Sequence, residues 1–98
     1  MTTYFISRHP GAIQWMKQQQ IHYDSHLSHL DLSIIEEGDT IIGSLPVNIA
    51  EQICRKKAHY QHLSLELPKH KRGQELTVAD MQQLGAKIQA YIIKKENS

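Results

Sequence analysis

Short apolar runs alternate with longer amphipathic stretches along most of the chain. The runs that predict β-strands lie at residues 3–7, 26–30, 40–44 and 59–65. Two stretches, 12–20 and 46–57, repeat their apolar residues every three or four positions, which is the period of a helix. The run at 40–44 is almost wholly apolar, as expected of a central parallel strand that is covered on both faces. The pattern therefore predicts strands that alternate with helices.

Each amphipathic stretch predicts one buried helix face. The inward residues are Ala12, Ile13 and Met16 in the first helix, and Val47, Ala50, Ile53 and Cys54 in the second. Ser33 and Glu36 have the spacing of a capping box, so a helical turn is expected before Gly38.

A last helix is predicted to begin at Thr77, because Thr77 and Asp80 form a second capping-box pattern. The apolar residues after it recur at helical spacing, and they are Met81, Leu84, Ile88, Tyr91 and Ile92. Residues 94–98 read as a frayed tail.

Strands that alternate with helices imply an α/β fold, with a parallel sheet and right-handed connections. The second strand is short and polar, which favours an edge position. We therefore expect one domain, residues 1–98, with about four strands in the order 2-1-3-4 and helices on both faces. Open sheets of this kind bind ligands where the strand order reverses, here between strands one and three.

Two strand-to-helix junctions at that point share one sequence pattern, a serine followed within three residues by a proline. Ser7-Arg8-His9-Pro10-Gly11 follows the first strand, and Ser44-Leu45-Pro46-Val47-Asn48 follows the third. Proline suits the first turn of a helix, and the unpaired N–H groups of a helix start attract anions. Arg8 adds a guanidinium group, which binds phosphate well. The two junctions together predict a site for a small phosphate-containing ligand.

The composition limits the partners that are expected. Eleven Lys and Arg residues stand against ten Asp and Glu, and a net charge of +1 argues against duplex nucleic acid. Cys54 is the only cysteine, which excludes an internal disulfide and fits a reducing compartment. Because no leader or membrane-length apolar run is evident, we expect a cytoplasmic protein without membrane association. A chain of 98 residues has little room for a large cleft, which favours a site shared by two subunits.

Five ordered strings of residues resemble a known family. They are Ser-Arg-His-Pro-Gly-Ala at 7–12, His-Leu-Asp at 29–31, Gly-Ser-Leu-Pro-Val-Asn at 43–48, His-Leu-Ser-Leu-Glu-Leu-Pro at 62–68 and Arg-Gly-Gln-Glu-Leu at 72–76. Together they resemble a small CRISPR-associated protein of type III systems, the sixteenth of the Csx families. The likeness runs from Thr3 to about Tyr91, and it departs at Lys57-Ala58, where a glycine is expected before the alanine.

The resemblance implies a ring nuclease, which binds a cyclic oligoadenylate messenger, most often cyclic tetraadenylate, and linearises it to silence antiviral effectors. It also implies a reduced Rossmann-like (CARF-like) domain that acts as a homodimer. The substrate's own 2′-hydroxyl attacks the adjacent phosphorus, so the protein has to hold the groups in line and stabilise charge. Neither a metal nor another cofactor is required by this chemistry.

Three residues of the first junction are assigned to catalysis. Arg8 is expected to clamp the phosphate, and His9 to protonate the leaving oxygen, because imidazole titrates near neutral pH. Ser7 is expected to donate its hydroxyl to a phosphate oxygen. The alternatives are a solvated Arg8, a His9 ring that only packs on the helix start, and a Ser7 that caps the helix.

Five further residues are assigned to ligand binding. Ser44 is expected to donate its hydroxyl to a phosphate oxygen as Ser7 does, with capping as its alternative. Ser64 is expected to act as Ser44 does, and Arg72 as Arg8 does. Asn48 is placed to read an adenine edge or a ribose. Asp31 is placed to accept from a ribose hydroxyl, with capping of the turn at Ser33 as its alternative. Trp15 is expected to pack in the protein, at a dimer contact, rather than to stack on a base.

Other functions fit parts of the sequence. The pairs His26/His29 and His59/His62 suggest zinc, but residues three apart on a strand point to opposite faces. His26-Leu27-Ser28 and His62-Leu63-Ser64 resemble the motifs of two-histidine phosphoesterases, a fold well beyond this length. A sensor that binds the ring without cutting it is the remaining alternative.

Overall fold

The computed structural model describes residues 1–66 and 76–96. The elements in chain order are β1 (Thr3–Ile6), α1 (Pro10–Gln18), β2 (Ser25–Leu27), a 3-10 turn (Leu32–Ile34), β3 (Thr40–Gly43), α2 (Val47–Arg55), β4 (His59–Ser64), α3 (Val78–Gln83) and β5 (Lys87–Tyr91). Within these ranges no helix has the length and apolar character that crossing a bilayer requires.

The strands form one sheet in the order β2-β1-β3-β4-β5. β2, β1, β3 and β4 are parallel, whereas β5 runs antiparallel to β4. The protein is thus a small α/β domain with a mostly parallel sheet of five strands. The four predicted strands occupy the predicted order, and the expected reversal lies between β1 and β3.

The predicted last helix is wrong beyond its first six residues. The capping box of Thr77 and Asp80 is present, but α3 ends at Gln83, and Gly85 follows with a φ of +71°, which ends helical geometry. The chain then forms β5, in which Ile88 pairs with Leu63 on the core side of the sheet. The apolar positions of this segment fit both periods, and pairing with β4 selects the strand. The sheet consequently has five strands rather than four.

Each face of the sheet has its own core. One core, between the sheet and helices α1 and α3, contains Phe5, Ala12, Trp15, Met16, Ile42, Leu63 and Met81. The other, on the α2 side, contains Ile6, Ile35, Ile41, Ala50, Ile53, Ala58 and Tyr60. Helices therefore cover both faces, as predicted.

Two side chains differ from their predicted environment. Val47 was assigned to the buried stripe of α2, but it is 68% exposed because it occupies the first helical position, beyond the end of the sheet. Trp15 packs as predicted, although in the core at 5% exposure and not at the surface where a dimer contact would lie.

Asp39 holds the N-terminus against the start of β3. Its carboxylate is nearly buried and accepts hydrogen bonds from the backbone N–H groups of Glu36 and Thr2, each at 2.9 Å. These two bonds lower the pKa of Asp39. Hydrogen bonds also lower the pKa of Asp24, through Thr3 and His22, and of Asp31, through Ser33.

We expect these carboxylates to make stability fall in acid. A carboxylate whose pKa is lowered in the folded state stabilises the protein at pH values above its unfolded-state pKa, near 3.8. This stabilisation is lost as the pH falls through the folded-state pKa. Urea unfolding measured between about pH 7 and pH 2 should show that loss. Asp39→Asn should be less stable at pH 7, and its free energy of unfolding should fall less between pH 7 and pH 2. An equal fall in the variant and the wild type would contradict this role of Asp39.

Candidate functional site

An open crevice of about 860 Å³ lies at the carboxyl ends of the parallel strands. It is lined by Ile6, Ser7, Arg8, His9, Ala12, Ser28, His29, Leu30, Ser44, Leu45, Pro46, Leu63, Leu65, Leu76 and Met81. Both serine-proline junctions contribute to this lining, as the sequence predicts. The crevice spans the point between β1 and β3 where the strand order reverses, which is where open α/β sheets bind ligands.

Arg8 lies at the mouth of this crevice on the loop between β1 and α1. Its side chain is exposed and makes no hydrogen bond or ion pair with any residue of 1–66 or 76–96. The guanidinium is therefore available to a ligand. A planar guanidinium presents paired N–H donors to two phosphate oxygens at once, which suits the predicted ligand.

The loop that carries Arg8 is held by hydrogen bonds at Ser7. The Ser7 N–H donates to the Leu27 carbonyl at 3.0 Å, and the Ser7 hydroxyl accepts from the His9 N–H at 3.1 Å. The Ser7 carbonyl accepts from His26 Nε2 at 2.8 Å, and the His26 ring stacks on Phe5. These bonds fix the backbone on which Arg8 and His9 stand.

Neither helix start at the crevice is capped by a side chain of the described residues. His9 occupies the N-cap position of α1 and Pro46 that of α2, so the alternative role of Ser7 and Ser44 as N-caps is wrong. Neither first turn contains an acidic residue. The positive ends of two helix dipoles thus lie beside the crevice with no acidic residue in their own first turns, which favours an anion there.

Ser44 lies between β3 and α2 and lines the crevice. Its hydroxyl donates to the Leu63 carbonyl of β4, so the side chain has to turn away from Leu63 to donate to a ligand. The backbone on either side of Ser44 is also bonded to β4, because Tyr60 Oη accepts from the Leu45 N–H at 3.0 Å and lies 3.2 Å from the Gly43 carbonyl.

Three predicted ligand-binding residues lie outside the crevice lining. Asn48 is exposed in the first turn of α2, and Ser64 lines a separate surface hollow with Gln83 and Lys87. Asp31 caps the 3-10 turn, since its carboxylate accepts from the Ser33 N–H at 3.0 Å and from the Ser33 hydroxyl. Its alternative role as a cap is confirmed. Arg72 and the basic run 69–72 lie outside the described residues.

The sequence does not predict one wall of the crevice. Residues 28–30 are predicted to belong to strand two, but β2 pairs only as far as Leu27, opposite Ile6 at the end of β1. Ser28, His29 and Leu30 therefore leave the sheet and line the crevice. The signal in the sequence is the string at 29–31 of the family resemblance, which by itself suggests metal or ribose binding and not a crevice wall.

The two-histidine alternative is wrong for a single subunit. His26 pairs with Phe5 and shares its face of the sheet, whereas His62 lies on the opposite face with Tyr60. β1 and β3 separate their strands, a distance of about 14 Å. Among residues 1–66 and 76–96, no three His, Cys, Asp or Glu side chains form a group that could hold a metal ion.

Residues 4–94 match the family described as "Putative CRISPR-associated protein (Cas_VVA1548)". Because the match spans nearly the whole chain and every residue of the crevice, the chain belongs to this family. No curated protein and no solved structure matches the chain. The family description associates the protein with CRISPR systems and assigns it no reaction or ligand.

Proposed function

We propose that this member of a CRISPR-associated family is a ring nuclease, which binds a cyclic oligoadenylate in the crevice and linearises it. The single observation that carries the proposal is the guanidinium of Arg8, which has no partner among residues 1–66 and 76–96, beside two helix starts whose first turns contain no acidic residue. This arrangement suits a phosphodiester whose charge grows during reaction. The family resemblance supplies the identity of the ligand, and cyclic tetraadenylate is the ring that it favours.

The proposed reaction needs no nucleophile from the protein. The 2′-oxygen of one adenosine forms a bond to the adjacent phosphorus, and the bond from that phosphorus to the 5′-oxygen breaks. The product is a linear chain with a 2′,3′-cyclic phosphate end. The 2′-hydroxyl loses its proton to a base, and the departing 5′-oxygen gains one from an acid.

The crevice residues fit these roles. Arg8 holds two phosphate oxygens and stabilises the extra negative charge of the transition state. His9 protonates the 5′-oxygen, and His29, the other imidazole of the lining, accepts the 2′ proton. Ser7 and Ser44 donate hydroxyls to phosphate oxygens. The leucines of the wall, Leu45 and Leu65 among them, provide apolar surface for adenine bases.

In this proposal two subunits share one ring. A crevice in a subunit of 98 residues is small beside a cyclic oligonucleotide, so a second copy completes the enclosure. The protein is then a cytoplasmic homodimer that switches off signalling by degrading the messenger.

We expect cleavage of cyclic tetraadenylate to continue in excess EDTA and to leave 2′,3′-cyclic phosphate ends. The physical reason is that substrate and side chains supply every group that the reaction uses. Product chromatography and mass spectrometry measure this directly. Activity that is lost with EDTA and restored by a divalent ion would contradict the mechanism, whereas tight binding without products would favour the sensor.

A further inference from the structure

Tyr60 ties β4 to the turn that follows β3, and the proposed mechanism does not use it. Its side chain is 3% exposed. Its hydroxyl oxygen lies 3.0 Å from the Leu45 nitrogen, 3.2 Å from the Gly43 carbonyl oxygen and 2.5 Å from His62 Nδ1. Gly43 and Leu45 are the two chain neighbours of Ser44. One buried oxygen therefore contacts the backbone on both sides of a crevice residue.

The single proton of the Tyr60 hydroxyl limits the directions that its hydrogen bonds can take. A phenol has one proton, so a single assignment makes all three contacts hydrogen bonds. In that assignment the Leu45 N–H donates to Oη, Oη donates to the Gly43 carbonyl, and His62 Nδ1–H donates to Oη. This assignment makes His62 a donor, which leaves the phenol proton free to bind the Gly43 carbonyl. Burial raises the pKa of Tyr60, which keeps that proton in place at neutral pH.

The His62 ring is itself held by aromatic neighbours. It meets the Tyr60 ring edge-on at 5.7 Å and the Tyr91 ring of β5 at 5.9 Å and 87°. Edge-to-face contacts of this kind favour one ring orientation. The orientation of His62 Nδ1 toward Tyr60 is therefore fixed by packing as well as by the hydrogen bond.

We propose that Tyr60 and His62 are positioning residues that hold the Gly43–Leu45 turn and so place Ser44 at the crevice. This inference rests on the proposed ring nuclease function. The sheet pairing of β3 with β4 ends at Gly43, and the Ser44 side chain has to leave the Leu63 carbonyl when it binds phosphate. The bonds from Tyr60 keep the backbone in place while the side chain turns. A site displaced by about 1 Å loses much of its rate, so these bonds bear on catalysis.

A double-mutant cycle tests this coupling, with Tyr60→Phe, Ser44→Ala and the double variant. We expect Tyr60→Phe to lower the saturating single-turnover rate of cyclic tetraadenylate cleavage by roughly tenfold, with a smaller change in the half-saturating concentration. In the Ser44→Ala background the same change should cost little more, because both act through one group. His62→Asn, which keeps a donor near Nδ1, should retain more rate than His62→Leu.

Tyr4→Phe is the matched control. It removes a hydroxyl from the same face of the sheet, and that hydroxyl makes no hydrogen bond with the parts of the chain that the structure describes. Its rate should equal that of the wild type. Additive losses in the cycle, or a Tyr60→Phe variant with lower melting temperature but normal rate, would overturn the positioning role alone. A wild type that neither binds nor cleaves the ring would overturn the proposed function and this inference together.

Discussion

Replacing Arg8 with alanine is expected to slow ring cleavage by about a hundredfold or more, while binding weakens less. The guanidinium lies at the mouth of the crevice without a partner in the described ranges 1–66 and 76–96, and in the proposed mechanism it meets the charge that grows on the phosphate. Contacts made mainly in the transition state contribute about 3 to 4 kcal/mol, which is the basis of the expected factor. Single-turnover rates and equilibrium binding of cyclic tetraadenylate separate the two effects.

Two variants make the Arg8 result specific. Arg8→Lys should recover only part of the rate, because an ammonium group cannot hold two phosphate oxygens in a planar fork. Lys17→Ala removes an exposed positive charge at the far end of α1 and should leave the rate unchanged. All three variants should keep the wild-type melting curve, since no core contact is removed. Near-normal cleavage by a folded Arg8→Ala protein would move the proposed site to Arg72 and the basic run 69–72.

Replacing Gly11 with alanine is expected to destabilise the fold by about 1 to 3 kcal/mol. A Cβ atom at this position would lie 1.9 Å from the Leu76 carbonyl oxygen, so the backbone ahead of α3 has to move. Alanine would otherwise stabilise a helix by about 0.5 to 1 kcal/mol relative to glycine. A lower stability of the variant would therefore show that the close approach of α1 to Leu76 outweighs the gain in helix propensity. Because Leu76 lines the crevice, ring binding should weaken as well.

Urea unfolding measures the Gly11 effect. Gln14→Ala is the matched control, since this residue is exposed on the same helix and a change there should stay within about 0.5 kcal/mol. A Gly11→Ala protein that is more stable than the wild type would show that helix propensity outweighs the contact with Leu76.

The elements that the sequence predicted correctly are those whose ends are marked by residues within the same short segment. The serine-proline junctions at Ser7 and Ser44 follow apolar runs that have only one reasonable assignment, and the polar second strand pointed to an edge. From these came the strand order and the position of the crevice. Four of the predicted site residues, Ser7, Arg8, His9 and Ser44, line it for the same reason.

The wrong predictions concern segments whose structure depends on residues that are distant in the sequence. The apolar residues around Ile88 satisfy a helical period and an alternating one, and only pairing with Leu63 in β4 selects the strand. β2 stops at Leu27 because β1 offers no further partner beyond Ile6, and this places His29 in the crevice wall. The bond between Tyr60 and Leu45 depends on the register of β3 and β4, which no local pattern contains.

The direction of β5 restricts how two subunits of the proposed dimer could share a ring. β5 forms one outer edge of the sheet and runs antiparallel to β4. If two copies joined their β5 edges antiparallel, the two-fold axis would stand perpendicular to the sheet, and the two crevices would open at opposite ends of a ten-stranded sheet. A single ring could not reach both. A dimer that shares one ring is therefore not expected to join its subunits by extending the sheet through β5.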